Sequence, residues 1–211
     1  FAQKPTDGNL VTEANLNVSN VHDNFNLPSL RFRYFVSNDL AVRLDLGVNG
    51  TSETDNYYEN ADGTGGSGDF NAKTSDIMLG LGVEKHFGGN SRFSPFIGGQ
   101  FNYMMGSMSS TGTNADDLAN NGGVFVTDYS STGEQKYSGI GVMAMAGADY
   151  WIGNSFYVGT ELNFGFSTNT TKDATSEVTV GGTALPKSVT AGSTTSGFGQ
   201  GITPSFRIGF I

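Results

Sequence analysis

The chain has no cysteine, which removes disulfide frameworks, thiolate metal sites and thiol nucleophiles. Histidine is almost as scarce, with His22 and His86 the only two. Charged residues make up 15% of the 211 positions, against about 25% in an ordinary soluble domain. The charge present is lopsided, 20 acidic residues against 11 basic ones, for a net charge of −9. So acidic a surface does not suit phosphate backbones, and nucleic acid is excluded as a partner. No stretch of about 18 apolar residues occurs, so no helix can be expected to span a bilayer. What is plentiful is glycine, 31 residues, and aromatics at 12%, with a slightly negative mean hydropathy. The chain is poor in charge without being greasy.

Strict alternation explains that balance. In the last stretch Ile202, Pro204, Phe206, Ile208 and Phe210 fall on one face, with Thr203, Ser205, Arg207 and Gly209 on the other. Seven earlier stretches repeat the pattern: 10–19, 30–36, 40–48, 76–87, 93–106, 137–152 and 156–167. Between them, short turns at Ser37-Asn38-Asp39, Gly88-Gly89-Asn90-Ser91 and Gly153-Asn154-Ser155 alternate with a modest first loop and three long polar segments. Those segments are 50–72, 107–134 and 168–197. The reading is all-β: an eight-stranded antiparallel up-and-down transmembrane β-barrel, apolar side to lipid, with three long extracellular loops and short periplasmic turns. Both termini are then periplasmic. No shift in composition divides the chain, so a single domain over 1–211 is expected. Phe1-Ala2-Gln3 reads as the scar of a secretory signal, cleaved between Ala2 and Gln3.

Aromatic residues fall near the strand ends. Tyr34, Phe87, Phe93, Tyr150 and Phe156 lie at the turn side, and Phe101, Tyr103, Phe164 and Phe166 at the loop side, as two interfacial girdles. The inward faces carry Glu13, Asp45, Asp76, Glu84, Asp149 and Glu161 against Arg31, Arg33, Arg43 and Arg207. Six acids and four arginines in a tube only wide enough for its own side chains should pair into a network, because unpaired buried charge is costly. Inward glycines such as Gly80, Gly82, Gly141 and Gly159 leave room for the long arginines. A plugged interior is the expectation, with a narrow gated conduit as the alternative.

Strand number, loop asymmetry and the aromatic last strand make the chain similar to small outer-membrane barrels of the OmpA and OmpX type, over nearly its whole length. That resemblance implies a bacterial outer-membrane location among lipids and lipopolysaccharide, and no catalytic motif comes with it. It also implies that the barrel-assembly machinery reads Phe206, Ile208 and Phe210, although Ile211 follows the last aromatic residue. A peptidoglycan-binding domain of the OmpA kind is missing from the sequence. The Phe-Ala-Gln start is similar to those of exported proteins of Bacteroidota.

Candidate chemistry is thin. His22, with Ser19 and Asp23 beside it and Ser75-Asp76 at the outer end of the fourth strand, resembles the rim sites of outer-membrane acyltransferases, but without a family signature. His86, close to Glu84, reads as an interior residue. Asn60-Ala-Asp62-Gly63 superficially resembles a calcium loop, yet its first ligand position is Tyr58 and its closing position Asp69, so the pattern is broken. No metal, cofactor or catalytic residue is expected. Glu177–Thr190 alternates on both sides of Gly181-Gly182, a hairpin signal. The functional expectation is a non-enzymatic structural or surface-interaction barrel. The alternatives are an accessory subunit docked onto a larger outer-membrane complex and, more distantly, a lipid-modifying enzyme.

Overall fold

A period of two puts apolar and polar residues on every face of a helix but sorts them cleanly on a strand. The computed structural model describes residues 4–17, 29–116, 123–152, 154–198 and 203–211, and among these the alternating stretches are strands. In chain order they are β1 (Leu10–Asn17), β2 (Ser29–Ser37), β3 (Leu40–Tyr58), β4 (Ser67–His86), β5 (Phe93–Asp116) and β6 (Val124–Trp151). There follow β7 (Phe156–Thr171), β8 (Ala174–Val180), β9 (Thr183–Ala184), β10 (Ser188–Thr190), β11 (Ser193–Phe198) and β12 (Thr203–Phe210). No helix among the described residues is long and apolar enough to cross a membrane.

Eight of these strands form an antiparallel ring. Each of β1 to β6 pairs with the next, β7 pairs with β12, and β12 pairs with β1. Thr12 stands opposite Phe210 and Ala14 opposite Ile208 at the seam. Closure leaves the ring no free edge at that level.

The three segments expected as long loops are instead largely paired strand. β3 and β4 stay in register out to Tyr58 opposite Ser67, leaving only residues 59–66 as a turn. β5 and β6 pair as far as Asp116 opposite Val124. Beyond the end of β7, β8 takes its place on β6, with Thr175 opposite Glu134. Gly181 and Gly182, at φ of 56° and 75°, then turn the chain back into β9; only glycine takes consecutive left-handed positions cheaply. β10 pairs with β8, and β11 with the upper part of β7. In the extensions of β3 to β6 polar residues predominate on both faces, so the sustained apolar alternation that marks a half-buried strand is absent. Their Thr, Ser and Tyr residues still favour extended backbone.

Around the ring the outward positions form an apolar belt. On β3 it comprises Leu40, Val42, Leu44, Leu46 and Val48; on β6 it runs from Ile140 to Tyr150. Above the belt the outward positions turn polar at once, Ser75 and Lys73 on β4, Ser107 and Ser109 on β5. Tyr34, Phe87, Phe93 and Tyr150 mark its lower rim, and Tyr103, Phe164 and Phe166 lie towards its upper one. So many exposed large apolar side chains in a continuous band are incompatible with water on all sides.

Residues before β1 lie across the turn end of the ring. The amide of Lys4 donates to Ser91 O at 3.0 Å, that of Asp7 to Asn38 Oδ1 at 3.2 Å, and that of Gly8 to Phe35 O at 2.9 Å. This segment joins the β4–β5 turn to the β2–β3 turn, with Pro5 buried beneath it. No periodicity announced it. The expected cleavage point at Ala2–Gln3 and the outer ends of the first and last alternating stretches lie outside the described residues, as do His22, Ser19, Asp23 and Asp117.

Candidate functional site

Alternation aims one residue in two at the lumen, and the lumen is built in layers. At the turn end is an apolar floor of Val11, Phe35, Ala41, Trp151 and Tyr157, with the Trp151 and Tyr157 rings 4.5 Å apart. His86 sits between Phe35 and Phe96, ring centroids 5.1 and 5.4 Å away. Its Nδ1 is 2.9 Å from Ser94 Oγ and its Nε2 is 3.3 Å from Glu84 Oε2.

Directly above lie nine charged side chains, each at most 3% exposed: Arg31, Arg33, Arg43 and Arg207 with Glu13, Asp45, Glu84, Asp149 and Glu161. Arg31 Nε donates to Asp45 Oδ1 at 2.6 Å, and its Nη1 to Glu161 at 3.1 Å. Arg33 pairs with Glu13 and donates to Glu84 and Asp149 at 2.9 and 2.8 Å. Arg43 donates to Glu84 at 3.0 Å and Glu161 at 2.9 Å, and Arg207 reaches Asp149 and Glu161.

Three of these pairs join strands four places apart in the eight-membered ring, which are its opposite walls. Arg33 on β2 meets Asp149 on β6, Arg43 on β3 meets Glu161 on β7, and Arg207 on β12 meets Glu84 on β4 at 3.4 Å. The contacts therefore run across the lumen as well as along its wall. Gly82 makes room for one of them: a Cβ there would lie 2.9 Å from Arg43 Cγ. Arg207 also lies over the Phe96 ring at 4.3 Å, and Arg33 over Tyr157 at 5.0 Å.

Asp76, expected in this network, stands apart from it. It has the right parity but sits higher in the barrel, where it accepts a hydrogen bond from the Tyr137 hydroxyl at 3.3 Å. An inward position reaches only groups at its own height, and the nearest inward positions below Asp76 on β4 are Met78 and Gly80. Conversely, Gln100 joins the network unannounced, donating to Asp45 at 2.8 Å and to Asn102 at 2.5 Å. Met145 does too, accepting from Arg43. Their inward parity was readable; their partners depend on register and closure.

The Asp62 region is a self-capped turn. The Thr64 amide and hydroxyl both donate to Asp62 Oδ1, at 3.0 and 2.6 Å, and the Gly66 amide donates to Glu59 at 2.8 Å. The Thr64 hydroxyl and amide hold the Asp62 carboxyl below the usual carboxylate range. Among the described residues, no group of three or more His, Asp or Glu side chains is placed to hold a metal ion.

A closed antiparallel ring with an apolar outer belt and a polar interior defines an outer-membrane β-barrel. Residues 14–174 match the putative OmpA-OmpF-like porin family, and the chain belongs to that family. Among solved structures, the outer membrane protein AlkL in lipid bilayers, determined by solid-state NMR, is similar at 15% identity. That match covers 100% of this chain and 91% of AlkL, with a TM-score of 0.32. No curated protein matches.

Proposed function

We propose that the protein is a structural or surface-interaction barrel of the outer membrane whose lumen is closed, with no catalytic role. The observation that carries this reading is the set of three ion pairs across opposite walls, Arg33–Asp149, Arg43–Glu161 and Arg207–Glu84. The interior of an eight-stranded barrel is just wide enough for side chains to fill or for one small ligand, too narrow for an open aqueous channel. Here the largest inward side chains meet in the middle, above an apolar floor and the crossing segment at Lys4–Gly8. The word porin belongs to the family's name; the layering of this lumen argues for a plug. The paired extensions of β3–β6 face outward from the cell, and the short turns and both termini face the periplasm, following the asymmetry of this class. The whole chain, 1–211, acts as one domain, bathed in lipid and lipopolysaccharide. Phe206 and Phe210, outward and over half exposed, together with Ile208 form the signal for the barrel-assembly machinery.

A second reading, an accessory subunit docked on a larger complex, rests on Ala144, Ala146 and Ala148. These three small outward residues on β6 would let another barrel approach closely. Native mass measurement after mild detergent extraction separates the two. The plug itself is tested by osmotic swelling of proteoliposomes in arabinose: the protein should give no swelling beyond protein-free vesicles. Sustained swelling proportional to protein would refute it.

A further inference from the structure

Above the ion layer the described residues do not fill the lumen. A cavity of about 270 Å³ lies between β4, β5, β6 and β7, walled by Met78, Met104, Met143 and Asn163 and by the inward glycines of β6 and β7. Its floor is the charged layer, since Asn163 follows Glu161 by one inward position on β7 and Met143 precedes Met145 on β6. Three thioethers give an apolar, polarisable and adaptable lining. Within it the Asn163 Oδ1 atom is buried and, among the described residues, accepts no hydrogen bond. A buried carbonyl oxygen without a donor costs free energy that a ligand's N–H or O–H would recover.

The glycines divide into two kinds. At Gly165 a Cβ would run into the Val142 carbonyl, so the backbone demands glycine there, and at Gly139 it would displace the end of the Asn169 side chain. At Gly141 it would meet only ordinary contacts, Phe166 O at 3.5 Å and Ser167 Cβ at 3.6 Å. A Cβ is accommodated at that position, which lines the cavity, yet none is there. The vacancy is thus not forced by the close approach of strands.

We propose that this cavity is a binding site for a small, largely apolar molecule carrying one hydrogen-bond donor, its body against Met78, Met104 and Met143 and its donor on Asn163 Oδ1. The charged layer serves here as a floor, so the inference leans on the closed-lumen reading. Its test reads the methionines directly and does not depend on flux.

The six methionines supply both probes and controls. Met78, Met104 and Met143 line the cavity, Met145 is held by Arg43, Met105 is exposed on the outside, and Met108 lies higher, exposed in the extension of β5. With methyl-labelled methionine in lipid nanodiscs and 1-hexanol as the probe, titration should move the Met78, Met104 and Met143 methyl resonances saturably. Met105 should drift only in proportion to the alcohol dissolved in lipid. Gly141→Leu should abolish the saturable shifts while the Met145 resonance and the folded gel mobility persist. Asn163→Leu should weaken 1-hexanol binding roughly tenfold, the loss of about one hydrogen bond. Saturable shifts that survive Gly141→Leu, or shifts that leave Met78, Met104 and Met143 unmoved, would overturn the proposal. A leaky barrel that still bound hexanol at these methyls would refute the plug and leave this site standing.

Discussion

Arg43 and Glu161 stand on opposite walls of the barrel, on β3 and β7, and their side chains meet at 2.9 Å across its interior. Neither is exposed by more than 1%. A guanidinium with a fixed fork of donors suits this position, since Arg43 also serves Glu84 at 3.0 Å and Asp45 at 3.1 Å. Three carboxylates on three strands are therefore held by one cation. Taking it away leaves buried negative charge with less to balance it.

That asymmetry gives the first prediction. Arg43→Leu should lower the unfolding free energy by about 3–5 kcal/mol, measured by urea titration in lipid vesicles, because it strands buried carboxylates. Lys136→Leu, which removes an exposed partner of Glu134, should leave the midpoint where it was. Equal effects from the two would mean that the interior pairs contribute no more than surface ones.

How far the sequence discloses this arrangement depends on the length scale. The parity that puts Arg43, Asp45, Glu84 and Glu161 on one set of faces is local, and alternation reveals it. Which arginine meets which acid is set by register and by closure of β12 on β1, which no short stretch of sequence encodes. Asp76 illustrates the gap, having the inward parity but lying too high to touch an arginine. The outer halves of β3 to β6 were missed for a different reason. With polar residues on both faces they carry no burial signal, and their ladders extend strands already begun in the membrane. The Lys4–Gly8 crossing rests mainly on hydrogen bonds from its own backbone amides, which leave no periodic pattern in its side chains.

Orientation is tested by two tryptic sites. Lys187 is exposed between β9 and β10 on the extension side, and Arg92 is exposed in the β4–β5 turn. Trypsin added to intact cells should cut after Lys187 and spare Arg92, which should be cut only once the outer membrane is permeabilised. Pairing of β3 with β4 out to Tyr58 also predicts that residues 50–58 resist other proteases while 59–66 remain open to them. Cleavage after Arg92 in intact cells would invert the topology.

The turn at Asp62 has a pH signature. Its carboxyl is held below the ordinary range by the Thr64 hydroxyl and amide, so its contribution is complete above the unfolded value of about 3.9 and is lost as pH falls through the lower folded one. The Thr64 amide resonance should stay constant from pH 7 to about pH 4 and move only below that. A shift between pH 7 and pH 5 would assign the turn to some other group.

The central claim is that charged side chains meeting from opposite walls close the lumen. Single-channel recording of the purified protein in planar bilayers tests it most directly, because ions pass wherever water forms a continuous path. We expect a silent membrane at moderate voltage, with insertion verified by the heat-dependent gel mobility of the same preparation. Steady, uniform conductance steps from the folded protein would contradict the account.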